Sequence, residues 1–357
     1  MFSSEEYNRS HSKLDFINLA GQQLLNAARV LVVGAGGLGC PSLVALVGAG
    51  VGTIGIVDFD TVSLSNLHRQ TLFNTDDVGK PKAIIAAEKL KVYNPFITIL
   101  PISAMLDAGN AIEIISSYDI VVDGTDNFYT RYLINDACIV LNKPLVYGAI
   151  HKTEGHVTVF NYEGAPTLRC LFPHDEQTSI PSCADIGAYN ITTGIIGMMM
   201  ANEAIKVILH HPEVLAGKLV QLDTITSKTF QVKYKEVIGS KEKSKERFTH
   251  RSPTKTINKK ELSKKLNTQE SFCLVDVRNK DEHDAFNIGG ENIPLLELLV
   301  KTDFDFSQND EIILYCQKGI RSNEAVAFLQ SKGFTNAKSL EGGMDAWQKQ
   351  LQTINVS

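Results

Sequence analysis

The 357-residue sequence contains no Cys-x-x-Cys pair, and its six cysteines, at positions 40, 138, 170, 183, 273 and 316, are scattered. That argues against a disulfide framework and for separate thiols in a reducing compartment. Positive charge is not in excess, since the net charge is −5, so nothing points to nucleic acid. No cleavable signal is expected either, because Met1 to Arg9 is polar and carries Glu5 and Glu6. The most apolar helical run, Ile191 to Leu209, is interrupted by Asn202, Glu203 and Lys206. It reads as a buried or subunit-contact helix, not a membrane span. The expectation is a cytoplasmic protein with neither nucleic acid nor membrane as partner. No internal repeat is visible, and the length suits two domains.

Strand-like and helix-like stretches alternate from Arg29 to about residue 235. Strands are expected at 30–33, 53–57, 97–101, 119–123, 144–147, 156–161 and 219–222. Such alternation predicts an α/β fold with a mostly parallel sheet and helices on both faces. The first strand runs into Gly34-Ala35-Gly36-Gly37-Leu38-Gly39, a helical pattern follows, and a second strand ends at Asp58. This order is the fingerprint of a Rossmann-like nucleotide-binding unit. Gly34, Gly36, Gly37 and Gly39 permit a tight turn and close approach to phosphate, and the helix N-terminus adds N–H donors.

A dehydrogenase would need only the acid after the second strand. Here Asp58-Phe59-Asp60 leads into Ser65-Asn66-Leu67-His68-Arg69-Gln70 and then Gly79-Lys80-Pro81-Lys82. Two cations, Arg69 and Lys82, beside a phosphate loop suit a triphosphate better than a pyrophosphate diester. Asp123-Gly124-Thr125-Asp126-Asn127 closes another apolar strand with two acids, and such a carboxylate facing phosphates is a natural Mg²⁺ ligand. Asp58 as a ribose ligand only, and Asp123 as a helix cap, stay open as plainer readings.

With LRCLFP and PSCADIG added, these motifs resemble the HesA/MoeB/ThiF family of ubiquitin-activating-type adenylyltransferases, over roughly residues 5 to 235. The resemblance implies that ATP and Mg²⁺ activate the C-terminal glycine of a small ubiquitin-like sulfur carrier ending in Gly-Gly. It implies that Gly37 contacts the nucleotide, Asp58 the ribose, and Ser65, Asn66, Arg69 and Lys82 the phosphate region. Asp126 would hold Mg²⁺ with Asn127 beside it. Arg9 would reach the ATP site of a second subunit, so a homodimer is implied. Cys183, between Pro181 and Gly187, matches a cysteine that can carry the acyl group, although a structural thiol remains open. Many family members bind zinc through two Cys-x-x-Cys pairs. Thr167-Leu168-Arg169-Cys170 keeps one cysteine of the first pair, and the region after Gln221, where the second pair should lie, has none. No structural zinc is expected.

Composition changes at 233–265, which carry 12 Lys and Arg against 4 Glu. A basic linker over 236–268 is expected, reading as a solvated tether. Beyond it, a small α/β domain spans 269–357. There Cys316-Gln317-Lys318-Gly319-Ile320-Arg321 stands between a strand and a helix, a loop whose N–H groups suit a thiolate, persulfide or oxyanion. The runs LVDVRNKDEHDAFNIGGENIP and LEGGMDAW around it resemble a rhodanese domain. That implies a persulfide on Cys316, held by the loop through Arg321, with a sulfur donor such as a cysteine desulfurase. Asn287 stands where rhodanese sequences commonly place His. The combined expectation is adenylylation of a carrier followed by sulfur transfer to give a thiocarboxylate, of molybdopterin-synthase type. Thiamine synthesis, tRNA thiolation and a non-catalytic scaffold are the alternatives.

Overall fold

The computed structural model of the chain describes residues 3–173, 187–250, 254–268 and 270–354. These residues divide into two compact units, one ending at residue 250 and one following it.

In the first unit an eight-stranded sheet has the order β3-β2-β1-β4-β5-β6-β7-β8. Its strands are β1 (Arg29–Val33), β2 (Thr53–Val57), β3 (Thr98–Ile102), β4 (Ile120–Asp123), β5 (Leu145–His151), β6 (Glu154–Phe160), β7 (Lys218–Asp223) and β8 (Lys228–Lys233). The strands from β3 to β5 pair parallel, and β5 to β8 antiparallel. Parallel central strands need helical crossovers on both faces, so their side chains are buried on both sides. Accordingly Val30, Val32, Ile54 and Ile56 join one core cluster, while Leu31, Val33, Val57 and Val121 join the other. The order reverses between β1 and β4, where Val33 lies beside Asp123. Sheets of this kind bind ligands outside the strand ends at such a reversal.

The apolar helix Asn190–Ile208 is long and apolar enough to cross a membrane by length and composition. Its inner face, including Ile196, Met200 and Ala204, belongs to the core.

The basic stretch differs from the expected tether. Residues Ser240–His250 form a helix packed on the helix Phe128–Val140 of the first unit. Ser240 and Ser244 are buried and Phe248 joins the core cluster of that face. Small residues let this helix approach closely while its lysines stay in water. The rest of the expected linker belongs to the second unit, as strand β9 (Thr256–Ile257) and the helix Lys259–Thr268.

The second unit is a five-stranded parallel sheet ordered β11-β10-β12-β13-β9, with β10 (Cys273–Asp276), β11 (Glu291–Asn292), β12 (Ile312–Tyr315) and β13 (Ala337–Leu340). Central β12 is wholly buried, which places Cys316 at the end of the most protected strand.

Candidate functional site

The first site forms where β1, β2 and β4 end. Gly34 turns the chain at φ +92°, and a Cβ on it would lie 2.9 Å from the Gly124 carbonyl oxygen. The glycine loop therefore touches the turn that carries Asp126. Gly39 opens the helix Gly39–Gly48, and a Cβ there would stand 1.8 Å from the Gly34 carbonyl oxygen. Alanine usually favours a helix over glycine by about 1 kcal/mol. Here the clash reverses the sign. Gly39→Ala should destabilise the chain by roughly 2–4 kcal/mol, read as a lower denaturant midpoint; an unchanged midpoint would contradict this packing.

Asp58 is buried, and its two oxygens accept the N–H groups of Ala35 (2.8 Å) and Asp60 (2.8 Å). The carboxylate thus clamps the glycine loop onto β2. Burial pushes its pKa up, against the pull of Lys82 and those two amides. Lys82 begins the helix Lys82–Tyr93 with its ammonium buried and 2.7 Å from Asp60. Burial opposes that charge, but Asp58 and Asp60 outweigh it and raise the pKa. Lys82 is thus a preorganised cation beside the loop.

Ser65 and Asn66 lie in the short turn Leu64–Asn66, with Ser65 exposed. Asn66 accepts from the Arg69 guanidinium at 2.7 Å, and the Arg69 Cδ lies 3.5 Å from where a Gly37 Cβ would be. Arg69 therefore stands over the loop. Gly36 faces open space apart from Gln70. Asp123 and Asp126 differ sharply. Asp123 is fully buried, one oxygen taking both the N–H and the hydroxyl of Thr125 and the other having no hydrogen-bond partner. Burial raises its pKa despite Arg131 and Thr125. Asp126 is exposed, so its carboxylate is available to a ligand. Asn127 is the N-cap of the helix Phe128–Val140, accepting from Thr130 N–H at 2.9 Å. The cap reading considered for Asp123 thus belongs to Asn127. Arg131 fixes the same turn by donating to the Thr125 carbonyl at 2.8 Å.

Arg9 is not brought to this cluster. It is exposed beside Asn8, which packs against Gly50 just past the C-terminal end of the Gly39 helix. That end is about 15 Å from the glycine loop. Cys183 lies outside the described residues.

The remnant of the zinc motif has a different use. The Cys170 sulfur meets Ser240 Oγ at 3.1 Å, Val237 N–H at 3.3 Å, and both the N–H and hydroxyl of Thr167 at 3.4 Å. Burial would raise this thiol's pKa, and these hydrogen bonds bring it below the ordinary value. One thiol among two hydroxyls and two amides does not fit a zinc ion, which needs four good ligands. It fits a hydrogen-bonded clasp that fastens the basic helix. Cys170→Ala should cost about 1–2 kcal/mol and speed hydrogen exchange over 240–250; unchanged exchange would mean that apolar packing alone holds the helix.

The second site is the Cys316 loop. Cys316 is buried, and its sulfur accepts from Gly319 N–H (3.1 Å) and Ser322 N–H (3.4 Å) and lies 3.5 Å from Ser322 Oγ. Gly319, at φ +95°, turns the chain into the helix Ile320–Ser331. The loop does cradle the sulfur with amides, but the Arg321 side chain is engaged elsewhere: its two terminal nitrogens each bond Glu282 at 2.7 Å. Gln317 bonds Asp345, and Arg278 reaches Gln317 at 3.4 Å. Asn287 is exposed and stays local, donating to the His283 carbonyl and accepting from Gly289. Buried Asp276 pairs with Arg278 and His283. Burial would raise its pKa, but these partners lower it. It therefore stabilises this unit above the ordinary carboxylate range, and that stability is lost as pH falls through the lowered value.

Sequence reasoning did not single out Asp60, Ser322 or Glu282. The first follows Asp58 by two residues and the second follows the loop by one. Glu282 had no local signal, since it meets Arg321 from 39 positions away.

Comparison with known proteins finds a family for each unit. The ThiF family model matches residues 7–243 and the Rhodanese-like domain model residues 258–350. A probable molybdopterin-synthase adenylyltransferase of Porphyra purpurea is 38% identical over 359 residues, covering 97% of this chain and 94% of its own. A probable adenylyltransferase/sulfurtransferase MoeZ of Mycobacterium tuberculosis is 37% identical over 371 residues, covering 97% and 93%. The crystal structure of Escherichia coli MccB with ATP shares the fold at TM-score 0.58 and 21% identity, over 66% of this chain and 72% of that one. The chain belongs to the ThiF family and carries a rhodanese-like domain after its ThiF region.

Proposed function

We propose that this chain adenylylates the C-terminal glycine of a small ubiquitin-like sulfur-carrier protein and supplies sulfur to it from a persulfide on Cys316. The carrier of molybdopterin synthase is the preferred partner. The observation that carries the first step is the convergence of Arg69, buried Lys82 and the turn bearing Asp126 on one glycine loop. ATP binds with its phosphates against the loop and the N-terminus of the Gly39 helix. Asp58 keeps lone pairs for the ribose hydroxyls. Arg69 and Lys82 offset the charge that grows on the phosphates as the carrier carboxylate attacks the α-phosphorus and pyrophosphate leaves.

The residues fit Mg²⁺ as well, since Asp126 offers one outward carboxylate to an ion that takes its remaining ligands from phosphates and water. Bound there, the ion supplies further neutralisation of phosphate charge. Lys82 must exchange its Asp60 partner for a phosphate, so ATP binding should loosen that pair.

The far placement of Arg9 from its own loop supports a homodimer in which Arg9 serves the other subunit's site. Sulfur transfer follows from the amide-lined Cys316 loop, with a cysteine desulfurase as donor. Cys183 is proposed as the thiol that takes the acyl group or resolves an acyl disulfide, and the protein as cytoplasmic.

The test is ATP–pyrophosphate exchange by the purified chain with Gly-Gly carriers from the same cell. Exchange dependent on such a carrier supports the reading. ATP binding without exchange by any of them would leave a nucleotide-binding scaffold instead.

A further inference from the structure

Two arginines flank the Cys316 loop, and carboxylates hold both. Arg321 is gripped by Glu282 through two parallel bonds of 2.7 Å. Glu282 is itself fixed, because its Oε2 also accepts the Asn279 N–H at 3.1 Å in the capping box of the helix Lys280–Ala285. Arg278 is bound by buried Asp276 through contacts of 2.6 to 3.1 Å and donates to the Phe286 carbonyl. Asp345 adds a third carboxylate, bonded to the loop residue Gln317. A loop built to attract a dianion would leave its guanidinium fork open, since that fork matches oxyanions two bonds at a time. Here the fork is filled from within.

We propose that Glu282, by occupying the Arg321 guanidinium, is a specificity-determining residue that directs the Cys316 loop to persulfide donors and against dianionic thiosulfate. This rests on the sulfurtransferase reading of Cys316. With a persulfide R–S–SH, the Cys316 thiolate attacks the terminal sulfur, the S–S bond breaks, and the donor leaves as a thiolate. With thiosulfate, the same attack on the outer sulfur expels sulfite with the bonding pair. Both routes leave Cys316 as a persulfide. They differ in charge, because thiosulfate carries two negative charges on the reacting group itself, and Glu282 has cancelled the charge of the loop arginine that would attract them.

Glu282→Gln removes the charge and keeps the capping acceptor, as glutamine serves equally at that position of a capping box. The full-length chain is assayed with thiosulfate and with glutathione persulfide. Cyanide is the acceptor, its carbon taking the outer sulfur as the Cys316 thiolate leaves. The expected result is a rise in kcat/KM for thiosulfate of on the order of fivefold, the size of a half-exposed ion pair. The glutathione persulfide rate should stay unchanged and serve as the control for folding. In the double variant Glu282→Gln/Arg321→Met the gain should vanish. Equal losses with both donors, an unchanged thiosulfate rate, or a gain that survives in the double variant would overturn the proposal. A wild-type chain inactive with both donors removes the sulfurtransferase reading itself, and this proposal with it.

Discussion

Asp126→Ala is expected to lower carrier-dependent ATP–pyrophosphate exchange by on the order of a hundredfold or more while leaving the chain folded. The two halves of that expectation have separate causes. Asp126 is exposed, so its removal leaves no buried group stranded. It lies three residues after Asp123 on the turn that touches Gly34, and this outward carboxylate is the one proposed to hold the ion. Asp123→Ala supplies the contrast. That carboxylate is buried and holds the turn through Thr125, so its loss should show first as a lower unfolding midpoint. Exchange near the wild-type level in Asp126→Ala would mean that the ion, if needed, is held elsewhere.

Cys316→Ser should separate the two chemistries. Serine fits the space and keeps a hydrogen-bond acceptor for the Gly319 and Ser322 amides, but its oxygen cannot carry sulfane sulfur. Exchange with ATP and carrier should stay at the wild-type level, because the residues proposed for adenylylation all lie outside the second unit. Thiocarboxylate formation should fall to background. Loss of both activities together would argue against this division of labour between the two units.

Much of this was legible in the residues. The strand–glycine–helix–strand order located the loop, and the elements followed within one or two residues over most of the first sheet. Arg69 and Lys82 were legible because cations are uncommon beside a dinucleotide loop. What stayed hidden has physical reasons. Strand β8 is exposed at all six positions, so no alternation of burial marks it. The basic helix Ser240–His250 buries two serines and leans on Phe248, a contact stripe too thin and too polar to stand out among its lysines. The pairing of Arg321 with Glu282, like that of Lys82 with Asp60, joins residues that only the folded chain makes neighbours. Those pairings change the chemistry most. A free Arg321 would suit oxyanions, whereas the clasped one leaves the sulfur to the amides of its loop. The zinc motif teaches the converse. Its missing cysteines were visible in the sequence, but only the fold shows Thr167, Val237 and Ser240 gathered on the one thiol that remains.

The central claim is that one chain both activates a carrier and gives it sulfur. The most direct measurement is the intact mass of a Gly-Gly carrier after incubation with the full-length chain, ATP, Mg²⁺ and a persulfide donor. The account predicts that the carrier gains the mass difference between sulfur and oxygen, and that the gain requires ATP and is absent with Cys316→Ser. A carrier that returns at its original mass while ATP–pyrophosphate exchange proceeds, or one that gains sulfur equally well with Cys316→Ser, would contradict it.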